Sequence, residues 1–384
     1  MKKNSIAIIG SGEMAVNIVE NAKKMSLETH CFSNNPTDKV VGVCDFFHDI
    51  SIFDVDSIVD TCLSLGVIGV LSTTELTIAI AAKVASRLNL PNMDVVLSER
   101  ITDKSFVRTK AKQVKRIKQP DFLVIDKDAS NPCIKRYPVI VKPTSMGGKR
   151  GVMVAYSKNE LKDAIKYAAE SMPANRRDII IEEYVQGGKE YSVESLSCNG
   201  RHYVIQITEK ISSGPPHCVE LGHLQPANIK PDIKNKVELA VEELLDCMGI
   251  DFSASHTEIK IVNDDIYLIE LNARLGGDHI AYPLTELSTG YKYIQELINA
   301  AIGRFTAPEK TKFLQNSCGV IFISEQTRRF FNLFKECEKY SWLYKKNVIS
   351  EDLTEITTNH SFDSNFMIFA SNNREIPKEI RELI

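Results

Sequence analysis

The sequence predicts an α/β chain in which an N-terminal parallel sheet covered by helices gives way to a strand-rich α+β region. Three observations predict it. The first apolar run, Ile6 to Ile9, leads into Gly10, Gly12 and Ala15, the G-x-G-x-x-A spacing at which a strand turns tightly into a helix. Short apolar runs then alternate with helical patterns up to Leu90-Pro91-Asn92, which breaks the alternation and marks a boundary. Beyond Pro138 the chain reads as strands joined by loops and tight turns.

Within the first region, Ile6 to Ile9, Val40 to Val43 and Val67 to Leu71 read as buried strands, and Glu75 to Leu88 reads as an amphipathic helix. The glycine motif alone would suit a nicotinamide-dependent dehydrogenase. That function needs an acidic residue about 20 residues further on to hold the adenosine ribose. The second strand instead ends Cys31-Phe32-Ser33-Asn34-Asn35, with neither an acid nor an arginine, so no NAD(H) binding is expected. A basic helix is predicted from Thr102, as N-cap, to Lys118. On it Lys104 and Arg108, four residues apart, share a face, and most of its lysines read as a solvated surface.

After Pro138, strands are predicted at Val139 to Val141 and Val152 to Ala155, followed by a helix from Leu161 to Ala169 and a strand from Ile179 to Glu183. Asn199-Gly200 marks a hairpin, and a second hairpin spans Glu258 to Asn272 around Asn263-Asp264-Asp265. The tail from Thr311 offers strands at Val320 to Ile323 and Phe366 to Ala370 and no chemical motif.

Composition sets bounds on function. The 384 residues are enough for roughly two or three domains, and 43% hydrophobic with 25% charged content is that of an ordinary soluble protein. A net charge of −3 argues against a nucleic-acid or anionic-membrane partner. The nine cysteines form no C-x-x-C pair, which suggests neither a zinc site nor a disulfide framework and fits a reducing cytoplasm. The first apolar run is cut by Gly10, Gly12 and Glu13, too short for a signal peptide or a membrane span.

Two stretches carry chemistry. The loop Lys142-Pro143-Thr144-Ser145-Met146-Gly147-Gly148-Lys149-Arg150-Gly151 joins strand to strand, and its glycines and cations suit anionic oxygens. It is not a Walker A loop, since no G-x-x-x-x-G-K-[ST] occurs. In the second hairpin, a turn centred on Asp264 pairs residues 262 with 266, 260 with 268 and Glu258 with Glu270, with Asn272 on the same face. Two facing carboxylates destabilise a bare hairpin, whereas a bridging hard cation such as Mg2+ removes the repulsion. Asn272-Ala273-Arg274-Leu275-Gly276-Gly277-Asp278 follows, placing an arginine where charge could develop in phosphoryl transfer and glycines where a ligand could approach.

A Gly-rich strand–loop–strand, an acidic strand end and a carboxylate hairpin ending in Asn-x-Arg, in this order, resemble the ATP-grasp superfamily over roughly residues 1 to 305. The chain is most similar to the carboxylate–amine ligase branch, the L-amino acid ligases that make dipeptides. That pattern includes a segment like Thr208-Glu209-Lys210, an E-x-x-H element and an N-A-R-L-G-G-D run. The resemblance implies an ATP-grasp fold with a Rossmann-like domain at 1–95, an ATP-grasp domain at 96–305 with its lid at about 135–186, and a small C-terminal subdomain at 306–384. It implies that Lys104 and Lys142 bind ATP phosphates, with Ser145, Met146, Gly147 and Gly148 folding over them. Glu182, Glu183, Tyr184 and Val185 would form the adenine hinge, Glu182 accepting from the exocyclic amine, and Glu190 would hold the ribose. Glu258, Glu270 and Asn272 would bind two Mg2+ ions, for which Mn2+ could substitute. Arg274 would stabilise the acyl-phosphate and the tetrahedral intermediate. In Glu220-Leu221-Gly222-His223, Glu220 would take an amino-acid ammonium and His223 would sit near the reacting carboxylate. Gly276 and Gly277 would border the substrate.

The implied activity is an ATP-dependent ligase joining a small carboxylate to an amine, both expected to be amino acids. Carboxyphosphate formation from bicarbonate, as in biotin carboxylases and purine-pathway carboxylases, and non-catalytic nucleotide binding are the alternatives. The loop has fewer glycines than the biotin-carboxylase version, and the tail after residue 305 is short and divergent. The identity of the two substrates and the oligomeric state stay open, a homodimer being one of the states allowed.

Overall fold

Three sheets succeed one another along the chain in the computed structural model, which describes residues 4–129, 132–358 and 364–384. The first contains β1 (Ser5–Ile9), β2 (Glu28–Ser33), β3 (Phe46–Asp49) and β4 (Val67–Ser72), all parallel, in the order β3-β2-β1-β4. Every residue of β1 is buried, as a parallel strand covered on both faces requires. Ile6 and Ile8 pack with Ala15, Ile18 and Ala22 of α1 (Glu13–Lys24). Ala7 and Ile9 meet the opposite layer, α2 (Val55–Leu65) and α3 (Ile78–Arg87). Gly10 has φ +108°, and a Cβ there would lie 2.2 Å from Thr73 Oγ1, so the turn into α1 excludes any side chain.

Two sequence expectations are corrected here. Val40 to Val43 is not a strand: Lys39–Gly42 is a 3-10 turn, and the third strand is β3, a partly exposed edge. A four-residue apolar run carries too little periodicity to separate a buried turn from a strand. The basic helix does not run from Thr102 to Lys118. A short α4 (Val95–Arg100) is followed by α5 (Lys104–Ala111), capped by Asp103, whose carboxylate accepts from the amides of Ser105 (2.8 Å) and Phe106 (3.4 Å). Beyond Ala111 the chain turns, buries Val114 and Ile117, and exchanges backbone hydrogen bonds between Lys118 and Ile266 and Leu268. The later positive charges therefore belong to another element. Lys104 and Arg108 do share a face, and it is a buried one.

The second sheet is antiparallel: β5 (Phe122–Asp126), β6 (Val139–Pro143), β7 (Met153–Ala155) and β8 (Asp178–Glu183) in the order β5-β8-β6-β7. α6 (Lys158–Glu170), capped by Ser157, lays Leu161, Ala164 and Ala168 on it. The loop at 144–152 joins β6 to β7, strand to strand as expected.

The third sheet has eight antiparallel strands: β9 (Lys189–Cys198), β10 (Arg201–Ser212), β11 (Glu220–Gln225), β12 (Ser253–Val262), β13 (Asp265–Asn272), β14 (Cys318–Ile323), β15 (Leu343–Asn347) and β16 (Asn365–Ala370). Their order is β13-β12-β9-β10-β11-β14-β16-β15. α7 (Pro231–Met248) covers one face through Val237, Val241, Leu244 and Leu245. α8 (Thr285–Thr289) and α9 (Tyr293–Ala301) follow β13, and Ile294 and Ile298 of α9 join the core beside α1. The strands after residue 305 continue this sheet through the β11–β14 pairing. β15, read as Leu-Tyr-Lys-Lys-Asn, has no apolar run and was not anticipated. Among the described residues no helix is long and apolar enough to cross a membrane.

Candidate active site between the sheets

The hairpin of β12 and β13 provides the floor of the cleft, and its register differs from expectation in an instructive way. The turn is the two-residue loop Asn263-Asp264, both at positive φ (50° and 66°), so Val262 pairs with Asp265 and Lys260 with Tyr267. That register alone would place Glu258 opposite Ile269. A bulge intervenes: Ile259 pairs with Leu268, Ile269 is passed over, and Glu258 stands opposite Glu270. The expected pairs 262–266 and 260–268 do not form, whereas Glu258–Glu270 does. The bulge also turns two successive residues, Ile269 and Glu270, to the cleft, while Leu268 and Leu271 enter the core.

Glu258, Glu270 and Asn272 line one compartment together with Lys104, Lys142, Met146, Gly147, Gly148, Lys149, Glu220, Arg274 and Gly277. Lys104 opens α5 and donates from Nζ to the carbonyl of Met146 (2.8 Å), with Glu270 3.3 Å away. Its amide donates to the Thr144 carbonyl, so the helix start and the Gly-rich loop are tied together. Glu258 faces Lys210 Nζ at 2.8 Å, Lys149 Nζ at 3.4 Å and His256 Nε2 at 3.4 Å. Burial would raise its pKa, but Lys149, Lys210 and His256 hold it well below the usual carboxylate range. Glu220 likewise stays ionised against burial, with Lys210 at 2.6 Å and His223 at 3.1 Å.

A second compartment, beyond Ile269 and Lys142, is lined by Glu182, Glu183, Tyr184, Val185, Glu190, Cys218 and Lys260. The residues expected at the adenine hinge and ribose thus lie together. Glu190 lies 3.5 Å from Lys260, whose ammonium stands over the Tyr184 ring. Both carboxylate oxygens of Glu182, however, are already engaged: Arg108 Nε donates to one (2.5 Å) and Lys142 Nζ lies 2.5 Å from the other. Burial would push the Glu182 carboxyl up, yet these two cations hold it at about 2. With one anion between two cations, burial and the like charge of Arg108 outweigh Glu182 and push the Lys142 amine down.

His223 is fully buried and does not reach the cleft surface; it backs Glu220 and meets the edge of Phe322. Its Glu220 and Asp278 neighbours each bring a donor atom within 4.8 Å of the others. Gly276 also lies behind the cleft wall, where a Cβ would meet Glu194 Oε2 and His256 Nδ1, each at 2.7 Å. Ser145 stays in the loop beside Thr144.

Several residues of the site escaped the sequence reading. Glu75, at the start of the turn that precedes α3, crosses from the first sheet to accept from Arg274 (2.6 Å) and lies against Gly147. Burial would raise its pKa, but Arg274, Lys104 and Arg150 lower it. Glu194 on β9 is fully buried and lies 2.6 Å from His256 Nδ1. Burial would lower the His256 pKa, but Glu194 and Glu258 raise it to about 9. An acid inside the apolar strand Tyr-Ser-Val-Glu-Ser-Leu carries the same signal that marked Glu270.

The inward-facing donors Glu258, Glu270 and Asn272 are all hard oxygens, a set that suits Mg2+. Ammonium groups of Lys104, Lys149 and Lys210 supply positive charge at the same carboxylates, so the site is built to neutralise them.

Comparison with known proteins agrees with this geometry. Residues 135–282 match the family model of the ATP-grasp domain. The chain is 22% identical over 328 residues to the mitochondrial propionyl-CoA carboxylase alpha chain of Caenorhabditis briggsae, covering 79% of this chain and 43% of that one. It is 26% identical over 245 residues to the alanine–anticapsin ligase of Bacillus subtilis (strain 168), covering 58% of this chain and 52% of that one. The chain thus spans about half or less of the length of these curated relatives. Among solved structures, the L-amino acid ligase from Bacillus licheniformis superposes with a TM-score of 0.80 at 20% identity, covering 100% of this chain and 97% of that one. The matched domain carries the Gly-rich loop, the acidic strand end and the carboxylate hairpin, and the superposition extends over the rest. Residues 135–282 are an ATP-grasp domain, and the whole chain carries the ATP-grasp fold.

Proposed function

We propose that the protein is an ATP-dependent carboxylate–amine ligase that forms an amide bond through an acyl-phosphate, with amino-acid substrates. The observation that carries this reading is the single compartment where Glu258, Glu270 and Asn272 face Lys104, Lys142, the Gly-rich loop and Arg274. ATP would lie across both compartments, its adenine beside Tyr184 and Val185 and its ribose at Glu190. Its phosphates would meet Lys104, Lys142 and the amides of Ser145 to Gly148. Mg2+ held by Glu258, Glu270 and Asn272, with Mn2+ as a substitute, would supply charge neutralisation at the phosphate oxygens. A substrate carboxylate oxygen attacks the γ-phosphorus and ADP leaves. An amine then attacks the acyl carbon, phosphate departs, and the amine loses its proton. Arg274 faces the charge that develops on the acyl-phosphate and on the tetrahedral intermediate. Glu220, backed by His223, offers a carboxylate to a substrate ammonium. Because His223 is buried, it acts through Glu220 and not by touching the reacting carboxylate. The loop, which lies against Glu75, would keep out the water that hydrolyses an acyl-phosphate. Nine free thiols support a cytoplasmic setting.

The test is phosphate release from MgATP with amino acids singly and in pairs, and with bicarbonate in a parallel arm, products being identified by mass. Release that requires an amino-acid pair and yields a dipeptide mass supports the ligase. Release with bicarbonate alone would instead favour the carboxylase reading, which the similarity to the propionyl-CoA carboxylase chain motivates. Arg274→Ala is expected to lower turnover by about 100-fold or more, the cost of removing one oxyanion-stabilising group. Turnover at the wild-type level would remove Arg274 from the mechanism.

A further inference from the structure

Arg108 holds three parts of the cleft at once. It sits one turn into α5, is 2% exposed, and belongs to none of the phosphate, adenine or metal groups assigned above. Its Nε donates to Glu182 Oε1 at 2.5 Å and one terminal nitrogen reaches Glu182 Oε2 at 3.3 Å. The same guanidinium donates to two successive backbone carbonyls of β13, Leu268 at 2.8 Å and Ile269 at 2.6 Å. Those carbonyls flank the bulge that passes over Ile269 and brings Glu270 opposite Glu258.

We propose that Arg108 is a positioning residue that pins the β13 bulge, and with it the Glu258–Glu270–Asn272 set, while holding Glu182 against Lys142. This inference rests on the proposed use of MgATP by the cleft. A bulge interrupts the ladder and leaves a carbonyl in need of a partner in a buried place. The guanidinium is a planar fork that can serve two carbonyls and a carboxylate simultaneously. Lysine in its place keeps the charge but offers a single ammonium head, which cannot span both β13 and Glu182. If the bulge relaxes to continuous pairing, the register slips by one residue and Glu258 faces Ile269 in place of Glu270. The one guanidinium thereby couples the divalent-ion ligands to the phosphate lysine.

The test compares the wild type with Arg108→Lys, Arg108→Gln, Glu182→Gln and a core control on α7, Val241→Ala, whose buried side chain packs in the same apolar cluster. Two readouts are taken. Amide hydrogen exchange of the ligand-free protein is followed across residues 265–272, and ADP binding is measured by calorimetry with and without Mg2+. In Arg108→Lys, exchange at Ile269 and Glu270 is expected to accelerate. The enhancement of ADP affinity by Mg2+ should fall about tenfold or more, the usual cost of removing a group that orients a metal ligand. Glu182→Gln leaves Arg108 on the carbonyls, so it should weaken metal-free ADP binding while preserving the Mg2+ enhancement. Val241→Ala should lower the melting temperature and leave the enhancement intact. Unchanged exchange at Ile269 and Glu270 in both Arg108 variants would overturn the proposal whatever the ligand does. Equal loss of the enhancement in Val241→Ala would overturn it as well, reducing Arg108 to a stability role. A wild type that binds no ADP with or without Mg2+ would overturn the MgATP reading itself, a failure distinct from that of the exchange measurement.

Discussion

At Gly276 the requirement for glycine is steric, since its φ is not in the left-handed region and the obstacle is two buried side chains. A Cβ would come within 2.7 Å of both Glu194 Oε2 and His256 Nδ1, which are themselves 2.6 Å apart through Glu194 Oε1 and buried. Neither can swing aside without separating the pair or moving His256 away from Glu258. Gly276→Ala is therefore expected to cost about 1–3 kcal/mol, the range for overpacking a filled interior. It should also lower phosphate release more than the matched loss of stability explains. A methyl group on the neighbouring Gly277 would have nothing within 4 Å, so Gly277→Ala should melt within about 0.5 kcal/mol of the wild type. Thermal melts of the two variants decide the point, and equal melting temperatures would contradict the steric account. Gly147 is a softer case, because the group it would strike is the carboxylate end of Glu75.

The β12–β13 hairpin shows how an element can be legible for one reason and correct for another. Alternation and an acid within an apolar run were enough to bring Glu258 and Glu270 together on paper. The actual turn is one position shorter than expected, and the Ile269 bulge restores the pair. Bulges carry no periodic signal in a single sequence, so Arg108's role there was invisible, as was the meeting of Glu75 with Arg274 across 199 residues. His256 and Glu194 were hidden for a related reason: each is polar within a strand, and only the sheet order puts β9 beside β12. What depended on local pattern was readable, including the Gly-rich loop, the Asn199-Gly200 hairpin and the strands β14 and β16. The short run at Val40 and the end of the basic helix were not, because four residues or a row of lysines do not discriminate between conformations. The observed turn gives its own test. Asp264 sits at φ 66° in the second position of a two-residue turn, where glycine is favoured. Asp264→Gly should raise stability by up to about 1 kcal/mol by removing the left-handed penalty. The check is a higher urea midpoint at unchanged m-value; a lower midpoint would argue against the positive-φ turn.

Across the whole molecule, parts distant in sequence meet around the site: Glu75, from the turn that precedes α3, reaches Arg274 on one side, and β14 and β16 pack behind His223 and His279 on the other. The segment after Gly277 is where the second contact is made. His279 is 4% exposed, holds φ 67°, and lies against Phe366 of β16 and Phe322 of β14, with Lys345 of β15 and His223 of β11 as charged or titratable neighbours. Burial first, then the neighbouring Lys345 ammonium and His223 ring, pushes its pKa down from 6.5 to about 3. In the unfolded chain the imidazole takes up a proton near 6.5, so the unfolded state binds more protons between pH 6.5 and 3. This group's contribution is therefore fully present above pH 6.5 and is lost progressively as the pH falls toward 3, on the order of a few kcal/mol across the window. His279→Asn keeps a residue that tolerates positive φ and removes the titration. Urea midpoints of the wild type should decline between pH 6.5 and 4 more steeply than those of His279→Asn, with the two curves converging toward low pH. Parallel curves would mean that His279 titrates in the folded protein as it does in the unfolded chain, and that the β14–β16 wall does not exclude charge as its aromatic packing requires.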